Sequence, residues 1–109
     1  MTDAETIVVL MTAASFEEAE RIAEMLVSQR LAACVQVLPE MQSLYFWKGE
    51  VQRDREVLII AKTVRANFAA LEQQVRAMHS YETPEIVALP IVAGSTRYLE
   101  WLVTSCEAS

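Results

Sequence analysis

The alternation of extended and helical patterns along this chain predicts an α+β fold, a ferredoxin-like βαββαβ sandwich followed by a C-terminal helix. Two observations carry that expectation. The stretches Thr6–Leu38 and Val57–Val92 have similar lengths, and each runs apolar strand, amphipathic helix, apolar strand. A long aromatic ribbon joins them, so the two units form a split βαβ arrangement with two helices on one sheet face.

The elements follow in order. Thr6–Thr12 (TIVVLMT) is a continuous apolar, β-branched run and reads as a strand buried on both faces. Ser15 is an N-cap, and Glu18 three residues on completes a capping box. Ala19, Ile22, Ala23, Leu26 and Val27 then recur at helical spacing, which predicts a helix over Phe16–Gln29. Leu31–Leu38 is a second apolar strand, interrupted by Pro39. Met41–Lys62 reads as a long hairpin that turns at Lys48-Gly49-Glu50 and returns through the apolar Val57–Ala61. Its aromatics have two readings, a partner surface or cross-strand packing within the hairpin. Thr63–Met78 is predicted helical, with Phe68, Leu71, Val75 and Met78 on one stripe. Pro84–Val92 is the fourth strand, at an edge or a bulge because of Pro90. Gly94-Ser95 caps a final helix with Tyr98, Trp101, Leu102 and Ser105 on one face.

At 109 residues the chain is expected to be one domain, 1–109. An apolar share of 53% is high for so small a surface and points to self-association. A net charge of −6 argues against a nucleic-acid footprint. No apolar run approaches the roughly 20 residues that cross a bilayer. The acidic start Met1-Thr2-Asp3-Ala4-Glu5 is wrong for a signal peptide. Cys34 and Cys106 form no C-x-x-C, so a reduced, cytoplasmic protein is expected.

The unusual chemistry gathers in His79-Ser80-Tyr81-Glu82-Thr83-Pro84-Glu85-Ile86, which holds the single histidine. His79 at a helix exit has three readings: metal ligand, proton relay, or a capping and packing group. Cys34 on an apolar strand is a buried small hydrophobe unless a base stands beside it. Lys62 meets an anionic ligand or snorkels from the core edge. Glu50, Asp54 and Glu56 alternate with Arg53 and Arg55, which reads as a solvated, self-neutralising ribbon. Glu82 and Glu85 flank Pro84 and form a candidate acid–base pair. No Gly-rich phosphate loop, Ser–His–Asp set or H-E-x-x-H is present. The first loop, Met11–Ser15, lacks the C-x-x-C of a metallochaperone. The central strands lack the stacking aromatics of an RNA-binding sheet.

Several motifs in register resemble the CutA family, named for divalent-cation tolerance. They are Leu31-Ala32-Ala33-Cys34-Val35, Ser43-x-Tyr45-x-Trp47-x-Gly49, Glu56 with Lys62-Thr63, His79-x-Tyr81-Glu82-x-Pro84-Glu85-Ile86, and Tyr98-Leu99-x-Trp101. The resemblance covers about Val8 to Leu102. It implies a tight homotrimer built like the PII signalling proteins, with clefts between subunits lined by Cys34, Trp47, Glu56, Lys62, Tyr81 and Glu85. It also implies copper or another divalent metal as ligand, held in some members by a strand Cys and a His-His pair. This chain departs there. Met11 stands for the Cys and Met78 for the first His, leaving His79. The two thioethers either join His79 around Cu(I) or pack in the core. Ser80 replaces the family's usual proline, which restores a backbone N–H and lets the helix run slightly further. The function so implied is a non-enzymatic response to divalent metal ions, copper among them. The alternative is a PII-like sensor that binds a small anionic metabolite through Lys62, Trp47 and Tyr81. An enzymatic reading would need Cys34 or the Glu82/Glu85 pair to act in a cleft.

Overall fold

The computed structural model describes residues 5–107. The sequence reading of Met1–Ala4 therefore lies outside the described residues, as do the ends of the 1–109 domain. The chain runs β1 (Thr6–Ala13), α1 (Phe16–Ser28), β2 (Cys34–Trp47), β3 (Glu50–Val64), a 3-10 turn (Arg65–Asn67), α2 (Phe68–Met78), β4 (Ile86–Pro90) and α3 (Thr96–Ser105). The sheet order is β2-β3-β1-β4, and every neighbouring pair is antiparallel. Each βαβ unit is split by a strand of the other, as the ferredoxin-like reading requires.

Side chains alternate between the two faces of the sheet. One face carries Val35, Ala61 and Val9 in one row and Val37, Ile59, Met11 and Ile86 in the next. The helices cover this face, where Ala19, Ile22 and Leu26 of α1 and Leu71 and Val75 of α2 complete the core. The opposite face carries rows of Cys34, Lys62, Val8 and Leu89, then Gln36, Ile60, Leu10 and Val87. α3 covers only its end, packing Leu102 and Val103 on Val64. The rest of that face is open.

Several boundaries differ from the sequence reading: β2 starts at Cys34 rather than Leu31, and β4 spans Ile86–Pro90 rather than Pro84–Val92. Thr63 and Val64 belong to β3, and α2 starts at Phe68 after the 3-10 turn. Pro39 does not interrupt β2. The strand continues with a register irregularity between Leu38 and Met41. Pro39 lies inside that irregularity, without a partner in β3, and on an edge strand, so its missing N–H costs no ladder bond. The hairpin turn is the pair Lys48-Gly49, both at positive φ (52° and 80°), with Glu50 already in β3. Both central residues at positive φ match the right-handed twist of the strands they join. The hairpin stretches the molecule to 50 × 25 × 23 Å.

Candidate functional site: an acid-lined cleft

Between α2 and β4 the chain has no regular structure, yet three consecutive residues each fasten to a different element. The ring of His79, with its side chain fully buried, bonds through Nε2 to the Thr12 carbonyl of β1 at 2.7 Å. Its Nδ1 accepts the Tyr81 N–H at 3.0 Å. An amide only donates, so the ring proton sits on Nε2 and donates to Thr12. Ser80 gives its N–H to Glu18 Oε2 at 2.7 Å and its hydroxyl to Glu18 Oε1 at 3.1 Å. Tyr81 lies 4.7 Å from the imidazole, centroid to centroid, and its hydroxyl donates to Glu56 Oε2 of β3 at 2.9 Å.

Glu18 is the unexpected member. It is 5% exposed, and its Oε1 also accepts the Ala14 N–H at 3.1 Å, while its own N–H goes to the Ser15 hydroxyl. Burial alone would raise its carboxyl pKa. The hydrogen bonds from the Ser80 amide, the Ser80 hydroxyl and the Ala14 amide, with His79 nearby, outweigh burial and hold it below the ordinary value of 4.5.

Segment 81–85 closes a cleft of about 480 Å³ against the hairpin, from Glu56 out to Trp47 beside the turn. Four carboxylates line it, Asp54, Glu56, Glu82 and Glu85, together with the aromatics Tyr45, Trp47 and Tyr81. Tyr45 donates its hydroxyl to Asp54, as Tyr81 does to Glu56. Burial and then the Glu56 carboxylate raise the Tyr81 phenol well above its usual range. For the exposed Tyr45 the Asp54 bond is the main cause of a rise. Both phenols stay protonated and donate.

Of the six residues expected in a cleft, Trp47, Glu56, Tyr81 and Glu85 surround this one. Cys34 and Lys62 do not line it. They sit opposite each other at the far end of the open face, and Lys62 lies six residues along β3 from Glu56. At about 3.3 Å per residue that is roughly 20 Å. There Lys62 Nζ donates to Gln36 at 3.2 Å and stands 5.7 Å from the Tyr98 ring.

The acidic ribbon is corrected. Alternation places Asp54 and Glu56 on the face opposite Arg53 and Arg55, so these charges segregate rather than neutralise. Arg55 pairs instead with Glu40 at 2.9 Å. The helix does not run past His79 either. α2 ends at Met78, and His79 is already extended (φ −83°, ψ 142°) because its ring and the Ser80 N–H are held elsewhere.

The residues do not fit the expected copper set. Both His79 nitrogens are engaged, Met11 is fully buried in the core, and Met78 packs against that core. Among the described residues no three His, Cys, Asp or Glu side chains form a group able to hold a metal ion. Sequence reasoning missed Tyr45 and Asp54 as cleft residues and Glu18 and Ser80 as its support. The signal for the first pair was their place on the strand face shared with Glu56. The second pair are 62 residues apart and left none.

A ferredoxin-like sheet with one open face, an extended hairpin and an acidic cleft along that hairpin defines the structural class. Its family is equally clear from comparison. The profile of the CutA1 divalent ion tolerance proteins matches residues 7–105. The divalent-cation tolerance protein CutA of Thermus thermophilus is 50% identical over 95 residues, covering 87% of this chain and 92% of that protein. Its solved structure superposes with a TM-score of 0.90 at 48% identity, covering 92% of this chain and 97% of that one. The rice CutA1 crystal structure gives 0.93 at 43% identity, with 97% of both chains covered. This chain belongs to the CutA1 family of divalent-ion tolerance proteins.

Proposed function

We propose that this chain acts as a non-enzymatic homotrimer in the cytoplasmic response to divalent metal ions, copper among them. The observation that carries the metal part is the cleft, where four carboxylates face a partly apolar wall. Such a lining attracts cations and repels anions. Among the described residues no three His, Cys, Asp or Glu side chains are grouped closely enough to hold a metal ion, and the reading therefore includes further ligands from a neighbouring subunit. Trp47 is 58% exposed and Phe46 72% exposed on the hairpin beside it, surface that a neighbouring subunit would cover.

The anionic-metabolite alternative rests on Lys62, which stands outside the cleft of its own chain and would have to come from a neighbour. A nucleophilic Cys34 has less support. Its candidate base, His79, is bonded to Thr12, four residues along β1 from the row that holds Cys34. Both cysteines are free thiols, which suits a reducing compartment, and fractionation that placed the protein outside the cytoplasm would overturn that part.

Calorimetric titration of the full chain with cupric and other divalent ions tests the metal reading. Replacing Glu56 and Glu85 with Gln together should weaken binding by at least about tenfold. His79→Ala should cost far less than the double change, because its nitrogens are occupied by protein. Equal isotherms for the wild type and the double variant would remove the cleft as the metal site.

A further inference from the structure

We propose that Glu18 and Ser80 form a clasp that positions Tyr81 against Glu56, and so sets the geometry of the cleft from α1. The link from clasp to ligand rests on the cleft reading above; the clasp itself does not.

The path is continuous on named atoms. The Glu18 carboxylate takes both donors of Ser80, its N–H and its hydroxyl. On one side of Ser80, His79 is bonded to β1. On the other, Tyr81 returns its N–H to the His79 ring and sends its hydroxyl to Glu56. Residues 79–85 belong to no helix or strand, so these bonds, rather than a ladder, fix where the Tyr81 ring stands. A proline at position 80 would restrict the backbone through its ring and would have no N–H for Glu18. Serine leaves the backbone freer, and the restraint comes from a carboxylate 62 residues away. Glu18 is itself fixed at its base by the Ser15 cap and the Ala14 amide, so it transmits the position of α1 rather than adapting to Ser80. Glu18 and Ser80 touch no ligand in this scheme. They are positioning residues.

The test uses the full-length protein as Glu18→Gln, Ser80→Ala and Ser80→Thr. Amide hydrogen exchange and the ring resonances of Tyr81 are read by NMR, and cupric-ion affinity by calorimetry. Glu18→Gln should speed exchange at the Ser80 and Tyr81 amides by at least about tenfold while Val9 and Ile59 in the core keep their protection. The Tyr81 ring resonances should shift with it. Ser80→Ala should give a smaller change, because the N–H remains. Ser80→Thr, which keeps both donors, should restore wild-type behaviour, which a purely steric role for the side chain would not predict. Unchanged Tyr81 exchange and ring shifts in both Glu18→Gln and Ser80→Ala would overturn the clasp. Should Glu18→Gln not fold, Ser80→Ala and Ser80→Thr carry the same comparison alone. Faster exchange with unchanged cupric affinity would uphold the clasp and refute the cleft as the metal site.

Discussion

At the scale of single residues, Glu18 shows how one side chain takes on two duties. As the third residue of α1 it shares a cap with Ser15, and that much follows from the spacing S-x-x-E. Its carboxylate is also a buried acceptor for three donors, and the ionised form is the one that satisfies them. The folded pKa is lowered below the ordinary 4.5, so the unfolded chain takes up the proton first on acidification. The stability Glu18 contributes is therefore fully present above about pH 4.5 and is lost as pH falls through the folded value. At pH 7, Glu18→Gln should lower unfolding free energy by about 1.5–3 kcal/mol, the range for hydrogen bonds to a charged group. The gap between the two proteins should narrow by pH 3. A gap of the same size at both pH values, measured by denaturant unfolding, would show that ionisation of Glu18 is not what stabilises this corner. His79 makes the complementary point. The sequence rightly singled it out as unusual, but only the fold shows that its two nitrogens are used up by Thr12 and Tyr81.

At the scale of elements, much was legible because periodicity reports which face is buried. The apolar runs became β1 and the inner half of β3, and the Ala19–Ile22–Leu26 stripe became the buried face of α1. The errors fall where local pattern has no access to pairing. Thr63 and Val64 precede good helix formers, yet they complete β3 because Ile7 and Thr6 stand opposite them in β1. Asp54, Arg55 and Glu56 look balanced as a string. In a strand they divide between two faces, and the acidic one faces the cleft. The hairpin turn carries a separate prediction. No atom lies within 4 Å of where a Cβ on Gly49 would stand, so space is not the constraint; φ of +80° is. Gly49→Ala should therefore cost about 1–2 kcal/mol through backbone strain. An unaltered denaturation midpoint would show that the turn relaxes freely into another type.

At the scale of the whole molecule, the open sheet face is what a lone chain leaves unexplained. Val87 and Leu89 are 47% and 51% exposed there, in rows with Leu10, Ile60 and Val8, and along the hairpin the half-exposed Tyr45 and Trp47 continue that face. A stable interface buries roughly 800 Å² per partner, and a sheet face with a protruding ribbon offers surface of that kind. Lys62 and Cys34 stand on the same face, remote from the cleft of their own chain. Composition pointed to self-association through its apolar excess, but could not say which face was bare. Native mass spectrometry of the full-length protein at micromolar concentration tests the claim most directly. The predicted result is a trimer, with monomer appearing when Val87 and Leu89 are both changed to Glu. A wild-type protein that remains a stable monomer under those conditions would contradict it.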